Sequence, residues 1–235
     1  TGPKEKAPDK EYDPVRLPKE FRSLSVAYRT PYYRQAMAYL ANRGVGADDI
    51  LVYKLGYCED GPYANRIIIP SFDEFGELNF FVGRAIFEHP LKYKHGNFSK
   101  DIIFNEYMVD WEKPVILVEG PFDAIKAGFN AIPLQGTQLR EGSKLFHKLV
   151  ETKPQVNIAL DSDAWDQSVR IVESLMKYGL DVNYIELPGK DPGELSKDEF
   201  DILRAGRSVP IHGHSDLLKI RLMHQTIHSG SLRIE

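Results

Sequence analysis

Apolar positions follow two different rhythms along this 235-residue chain. From residue 111 onward, short and largely β-branched runs (Val115-Ile116-Leu117-Val118, then 131–134, 156–160 and 181–187) alternate with stretches of helical spacing at 121–128, 141–151 and 164–178. Runs too short for a helix and apolar at nearly every position predict strands buried on both faces. Their alternation with helices across short loops predicts a parallel sheet with right-handed crossovers. Before residue 110 the pattern is mixed. Pro31 to Arg43 predicts an amphipathic helix with Thr30 as its cap and Gly44 as its stop. A second short helix is expected near Ala47, where Asp48 and Asp49 complement its N-terminal dipole. Arg66-Ile67-Ile68-Ile69-Pro70 and Leu78-Asn79-Phe80-Phe81-Val82 predict two strands joined by a polar turn through Asp73-Glu74-Phe75-Gly76.

The ends read differently. Residues 1–20 are rich in Pro, Lys, Glu and Asp, with Val15 and Leu17 the only sizeable aliphatics. They are expected to form a disordered linker, implying a further domain upstream. The organisation is thus a linker at 1–20, an α+β subdomain at 21–110, an alternating α/β domain at 111–200 and a helical tail at 201–235. One tail helix, about 216–228, is expected to be capped by Ser215 and to carry Lys219 and Arg221.

Two acidic signatures fall just past predicted strands. Glu119-Gly120-Pro121-Phe122-Asp123 follows the first run, and Leu160-Asp161-Ser162-Asp163 closes the third. Open α/β sheets place their ligands at the carboxyl ends of strands. Carboxylates gathered there repel one another unless a multivalent cation holds them. Oxygen ligands with neither His nor Cys nearby point to Mg2+ or Mn2+ rather than zinc. Asp123 lies one helical turn past Glu119, so both can face one metal cluster. The competing reading of Asp161 and Asp163 is capping of the helix at 164–178.

Charge and composition narrow the classes. The net charge of −4 is unevenly spread: residues 111–201 carry −6 and residues 202–235 carry +3. Within 84–100, Arg84, Lys92, Lys94 and Lys100 face Glu88 alone, which suits a polyanionic substrate as well as a solvated loop. Cys58 is the sole cysteine, so the chain holds neither a disulfide framework nor a four-cysteine zinc site, and a reducing, cytoplasmic setting fits. His212, His214, His224 and His228 lack partners at ligand spacing and read as tail residues facing solvent. No apolar run approaches the roughly 18 residues of a membrane span, and no G-x-x-x-x-G-K-[ST] segment is present.

The pairing of E-G-x-x-D with D-x-D on successive βα units resembles the Toprim domain shared by DnaG-type primases, topoisomerases and some nucleases. The resemblance to primases extends further, over about residues 36–195. Tyr39-Leu40-Ala41-Asn42-Arg43-Gly44 and Leu55-Gly56-Tyr57 resemble the Y-L-x-x-R-G and L-G-Y segments of the primase polymerase core. Arg66 to Pro70 resembles its R-x-x-x-P strand, and Gly83-Arg84 its G-G-R, with Val82 replacing the first glycine. Lys92-Tyr93 stands where P-K-Y is found, here after Leu91. Leu134-Gln135-Gly136-Thr137 resembles the L-G-T turn, and Leu187-Pro188-Gly189-Lys190-Asp191-Pro192 the L-P-x-G-x-D-P ending. Pro121, where cellular enzymes carry tyrosine, leans toward primases of the T-even phage type, while Asp161-Ser162-Asp163 keeps the cellular form.

The resemblance implies an α/β fold in which a Toprim parallel sheet flanked by helices follows a mixed α+β subdomain. It implies RNA primer synthesis from NTPs on a single-stranded DNA template. Glu119, Asp161 and Asp163 would be the metal ligands for two or more Mg2+ or Mn2+ ions, with Asp123 a fourth catalytic acid. Asp191 is either a distal acid or a turn residue. Arg66, Arg84, Lys92 and Tyr93 would line a groove for template or triphosphate, unless they form a surface salt-bridge face with Asp73, Glu74, Glu77 and Glu88. Partners implied are a replicative helicase docking on the C-terminal tail and a zinc-ribbon domain outside this chain. Another Toprim enzyme (a nuclease or topoisomerase fragment) and a non-catalytic replisome adaptor are the alternatives.

Overall fold

Strand pairing divides the chain into two sheets. The structure, a computed structural model, describes residues 13–136, 138–187, 195–206, 208–213 and 215–218. Strands β1 (Phe21–Ser23), β2 (Gly56–Cys58), β3 (Arg66–Phe72), β4 (Leu78–Ala85) and β5 (Tyr93–Lys94) pair in that order, antiparallel throughout. Strands β6 (Val115–Val118), β7 (Ala131–Pro133), β8 (Val156–Ile158), β9 (Val182–Ile185) and β10 (Ser208–Ile211) form the second sheet, in the order β10-β9-β8-β6-β7. Its strands are parallel except β10, which runs antiparallel to β9 along the edge. The α/β class expected from the alternating rhythm is therefore present, with an antiparallel edge added.

Helices α1 (Pro31–Asn42) and α2 (Ala47–Val52) cover the first sheet. Thr30 caps α1 as expected, its hydroxyl accepting from the Tyr33 N–H at 3.1 Å. The second sheet lies between α3 (Pro121–Ala127) with α6 (Lys197–Gly206) on one face and α4 (Lys144–Thr152) with α5 (Trp165–Lys177) on the other. Side chains along β6 alternate between these layers: Val115 and Leu117 join Leu149 and Leu175, whereas Ile116 and Val118 join Ala124 and Phe200.

Two expectations shift. Residues 13–20 are not a free linker: the Asp13 N–H donates to the Asn97 carbonyl, and Val15 and Leu17 pack against Cys58, Ile68 and Phe81. Residues 1–12 lie outside the described residues. The boundary at residue 200 falls inside α6, and both α6 and β10 belong to the second sheet's layers. Pro210, which obscures β10 in the sequence, is compatible with an edge strand because the missing N–H needs no neighbour there. The tail helix expected over 216–228 falls almost entirely outside the described residues, with Lys219, Arg221, His224 and His228. His214 does too.

Helix α3 joins the two halves. Pro121 occupies its first turn, where a missing N–H costs nothing. Its Phe122 and Ile125 are buried with Leu40, Ile67 and Phe80 of the first subdomain, while Ala124 and Ala127 pack on the second sheet. Polar contacts bridge the same seam. The Lys126 ammonium, buried and with its pKa lowered chiefly by desolvation, donates to the Gly44 carbonyl at 3.0 Å. Gly44 holds a left-handed φ of 62° at the end of α1, a conformation that favours glycine. Lys197 of α6 pairs with Asp49 of α2, and the Tyr53 hydroxyl donates to the Ala124 carbonyl at 3.4 Å.

Phe122→Ala is expected to lower unfolding stability by ~3–5 kcal/mol, since it opens a cavity in the shared core. Phe129→Ala, at a ring 60% exposed, is expected to change it by less than ~0.5 kcal/mol. Urea unfolding of the two variants checks the contrast.

Candidate metal centre and the basic cleft beside it

The register of two strands brings the acids together. β6 and β8 are parallel neighbours, with Leu117 opposite Ile158. Glu119 comes two residues past Leu117, and Asp161 three past Ile158, at the same sheet edge. The chain leaves β8 through a short 3-10 turn at Ser162–Ala164 before entering α5. One carboxylate oxygen from each of Glu119, Asp161 and Asp163 then lies within 4.8 Å of the other two. Glu119 and Asp161 are half-buried and Asp163 is exposed.

Helix capping does not account for this arrangement. Asp161 leads the 3-10 turn without a side-chain capping bond, and the cap position of α5 is Ala164, which has none. Three carboxylates at this spacing disfavour one another's charge. An all-oxygen donor set of this kind suits a hard divalent cation such as Mg2+ or Mn2+, so the residues fit the metal that the sequence implied.

Asp123 has a different position. Its Oδ2 accepts from the Gly120 N–H at 2.8 Å, closing the first turn of α3, and it is not a member of the trio. Its charge also complements the positive end of that helix. A Cβ on Gly120 would come within 3.0 Å of this capping oxygen, so the glycine keeps the turn tight. Asp123 nevertheless lines the same cleft as Glu119 and Asp161.

That cleft, about 580 Å³, runs between the sheets. Its basic residues are Arg43, Arg84, Lys92 and Lys100, together with Tyr93 and His95 from β5 and the following loop. Arg84 lies over the Tyr93 ring at 4.7 Å, and Arg43 over the Phe122 ring at 4.9 Å. Burial raises the Tyr93 pKa, opposed by the nearby Arg84 charge and reinforced by Asp123, so the phenol stays neutral at physiological pH. Gln135 enters the cleft from the end of β7 with a left-handed φ of 56°. Beside it the Gly136 N–H donates to the Glu119 carbonyl at 3.2 Å, tying this turn to the acidic loop.

The structure thus brings Arg84, Lys92 and Tyr93 to the acids but not Arg66. Arg66 is 5% exposed and lines a separate cavity. Its guanidinium donates to the carbonyls of Gly83 at 3.1 Å, Leu91 at 3.0 Å and Lys92 at 3.3 Å. It secures the connection from β4 to β5, and so fixes where Lys92 and Tyr93 stand. The alternative of a salt-bridge face with Asp73, Glu74, Glu77 and Glu88 is not what the geometry shows: among the described residues none of these acids pairs with Arg66, Arg84 or Lys92. Arg43, His95 and Gln135 are cleft residues to which sequence reasoning gave no role, whereas Lys100 belongs to the basic stretch 84–100 already singled out. Arg43 stood in the Tyr39–Gly44 segment, and its motif was the available signal. Thr137, Pro188 to Pro192 with Asp191, and His214 lie outside the described residues; His212 is exposed, its N–H donating to the Asp216 carboxylate.

No family model matches the chain. Among curated proteins it is similar to the DNA primase of Clostridium acetobutylicum, 25% identical over 195 residues, which cover 75% of this chain and 32% of that protein. The chain therefore spans about a third of that relative's length. Among solved structures it is similar to the DnaG primase catalytic domain bound to ssDNA, at 18% identity and a TM-score of 0.65, covering 84% of this chain and 78% of that one. It is similar to the Aquifex aeolicus primase (zinc binding and RNA polymerase domains) at 22% identity and a TM-score of 0.65, covering 86% and 64%. The E. coli primase catalytic core matches at 19% identity and a TM-score of 0.62, covering 84% and 79%. The chain has the fold of the DnaG primase catalytic core.

Glu119→Gln and Asp161→Asn are each expected to weaken Mn2+ binding by about 10- to 100-fold or more, at least the loss typical of removing a supporting partner of a metal site. Asp123→Asn is expected to cost ~1 kcal/mol of stability through its cap with a much smaller effect on the metal. Mn2+ titration followed by electron paramagnetic resonance, with thermal unfolding alongside, separates the two.

Proposed function

We propose that this chain is the catalytic core of a DNA primase, a nucleotidyltransferase that builds short RNA from NTPs on single-stranded DNA. The observation that carries the reading is the meeting of the Glu119–Asp161–Asp163 trio with a row of cations, Arg43, Arg84, Lys92 and Lys100, in and beside one cleft of the primase fold. Similarity to a DNA primase over 195 residues, and to a primase domain solved with ssDNA, supports the same conclusion.

Transfer of a nucleotidyl group asks for positioning and charge neutralisation rather than covalent help from the protein. A divalent ion held by Glu119, Asp161 and Asp163 would supply Lewis-acid polarisation of the phosphoryl group and a more acidic attacking hydroxyl. The arginine forks suit phosphate oxygens of triphosphate or template. Tyr93, one face covered by Arg84, stiffens that guanidinium and keeps its hydroxyl beside Gly120. Asp123 adds negative charge to the cleft while holding α3 closed. Arg66 acts behind the cleft through the carbonyls it gathers.

The narrower parts of the reading are proposals of the same kind. Mg2+, with two or more ions, is the physiological choice, and the bacterial or phage-infected cytoplasm is the setting. A zinc ribbon acts from outside these 235 residues, because Cys58 is the sole cysteine and it is buried. The replicative helicase docks on the basic segment 202–235. Pro121 is the feature that supports a bacteriophage enzyme of the T-even type.

With single-stranded DNA and Mg2+ or Mn2+, labelled NTPs are expected to enter short RNA. Asp161→Asn is expected to reduce incorporation by at least about 100-fold, the scale of losing a group that stabilises transition-state charge. Cleavage of the supplied DNA without RNA synthesis would replace the primase reading with that of a Toprim nuclease.

A further inference from the structure

Arg43 leaves the end of α1 and Arg84 projects from β4, yet both direct the same donor at one atom. The Arg43 Nε–H donates to the Tyr39 hydroxyl oxygen at 2.7 Å, and the Arg84 Nε–H donates to it at 3.0 Å. A phenolic oxygen offers acceptor capacity for two such donors. Because each arginine uses Nε here, its terminal nitrogens are not spent on Tyr39; both residues line the cleft, where Arg84 also meets the Tyr93 hydroxyl. Among the described residues neither arginine forms a salt bridge.

Two guanidiniums held at one oxygen repel each other. Here aromatic faces support them: Arg43 lies over Tyr39 and Phe122, at 5.1 and 4.9 Å, and Arg84 over Tyr93 at 4.7 Å. The arrangement is a preformed positive site in which side-chain ordering precedes arrival of an anion, which lowers the entropic cost of binding. The supports reach the acidic loop, because Phe122 follows Glu119 by three residues and packs edge-on to Tyr39 at 6.3 Å.

We propose that Tyr39 is a positioning residue whose hydroxyl sets Arg43 and Arg84 in register, so that their two forks grip a single phosphate group across from the acidic trio. That phosphate belongs either to the incoming triphosphate or to the template backbone, and this choice rests on the primase reading above. The hydroxyl, not the ring, carries the role. The ring fills space against Phe122 whether or not the oxygen is present.

The test is Tyr39→Phe in the full chain, with a fluorescent ATP analogue and labelled single-stranded DNA as binding probes beside the primer-synthesis assay. Removing an acceptor shared by two charged donors is expected to raise either the nucleotide KM and Kd or the DNA Kd by about 5- to 30-fold. Over the same change, kcat is expected to fall by less than about 3-fold and the melting temperature to move by less than about 3 °C. The arm that moves identifies the phosphate. In an R43K/R84K background, which keeps both charges but removes both Nε–H donors, Tyr39→Phe is expected to have no further effect, the non-additivity of groups acting as one unit. Unchanged binding in Tyr39→Phe, or an equal loss in both backgrounds, overturns the proposal. The binding arms need no turnover, so a chain that binds but makes no RNA removes the primase reading without deciding this one.

Discussion

The seven-residue helix α3 follows directly from the strand that delivers Glu119, and it must satisfy two cores at once. Phe122 and Ile125 fill the first subdomain's interior while Ala124 and Ala127 pack on the second sheet, with small residues on the side where strand and helix approach closely. A helix so short has little stability of its own, so its packing holds it. The consequence is geometric. The acidic loop at the start of α3 cannot move independently of the arginine-bearing α1 and β4, because the same helix buries an aromatic ring between them. Lys126 on Gly44 and Lys197 with Asp49 seal the same seam with charge.

From this constraint the electrostatics follow. Carboxylates of the second sheet and cations of the first meet in one cleft. Lys126 and Asp49 are neutralised or hydrogen-bonded at the interface, whereas Arg43, Arg84 and Lys92 line the cleft and enter no salt bridge among the described residues. Charges left unpaired beside a metal-type acidic trio are suited to a polyanion that brings phosphate to both.

The strands that carry the acids were legible because burial on both faces leaves an unmistakable apolar run; β6 spans the four residues Val115–Val118 that the pattern marks. β8 stops at Ile158 rather than Leu160, although the Ala159 N–H still reaches the Leu117 carbonyl at 2.9 Å. The short strands β1, β2 and β5 were not legible. Two or three residues cannot show a period, and they are strands only because a neighbour pairs with them. The site divided in the same way. Glu119, Asp161 and Asp163, which the sequence pattern singled out past two strands, come together because strand ends fix them. Arg66 was misplaced because its burial depends on the chain returning through Leu91 and Lys92 to surround it with carbonyls, a tertiary event with no local signal. Arg43 went unassigned for the converse reason: the sequence gives only its place at the end of a helix and in the Tyr39–Gly44 segment, and the fold turns it over Phe122.

We propose that acids and arginines from the two sheets serve one phosphate-bearing ligand. Anomalous X-ray scattering from crystals grown with Mn2+ and a non-hydrolysable NTP analogue checks this. Manganese is expected to be bound by Glu119, Asp161 and Asp163, with the analogue's phosphates extending from it to Arg84 and Arg43. Manganese away from that trio, or a nucleotide bound in another cavity with the arginines untouched, would contradict it.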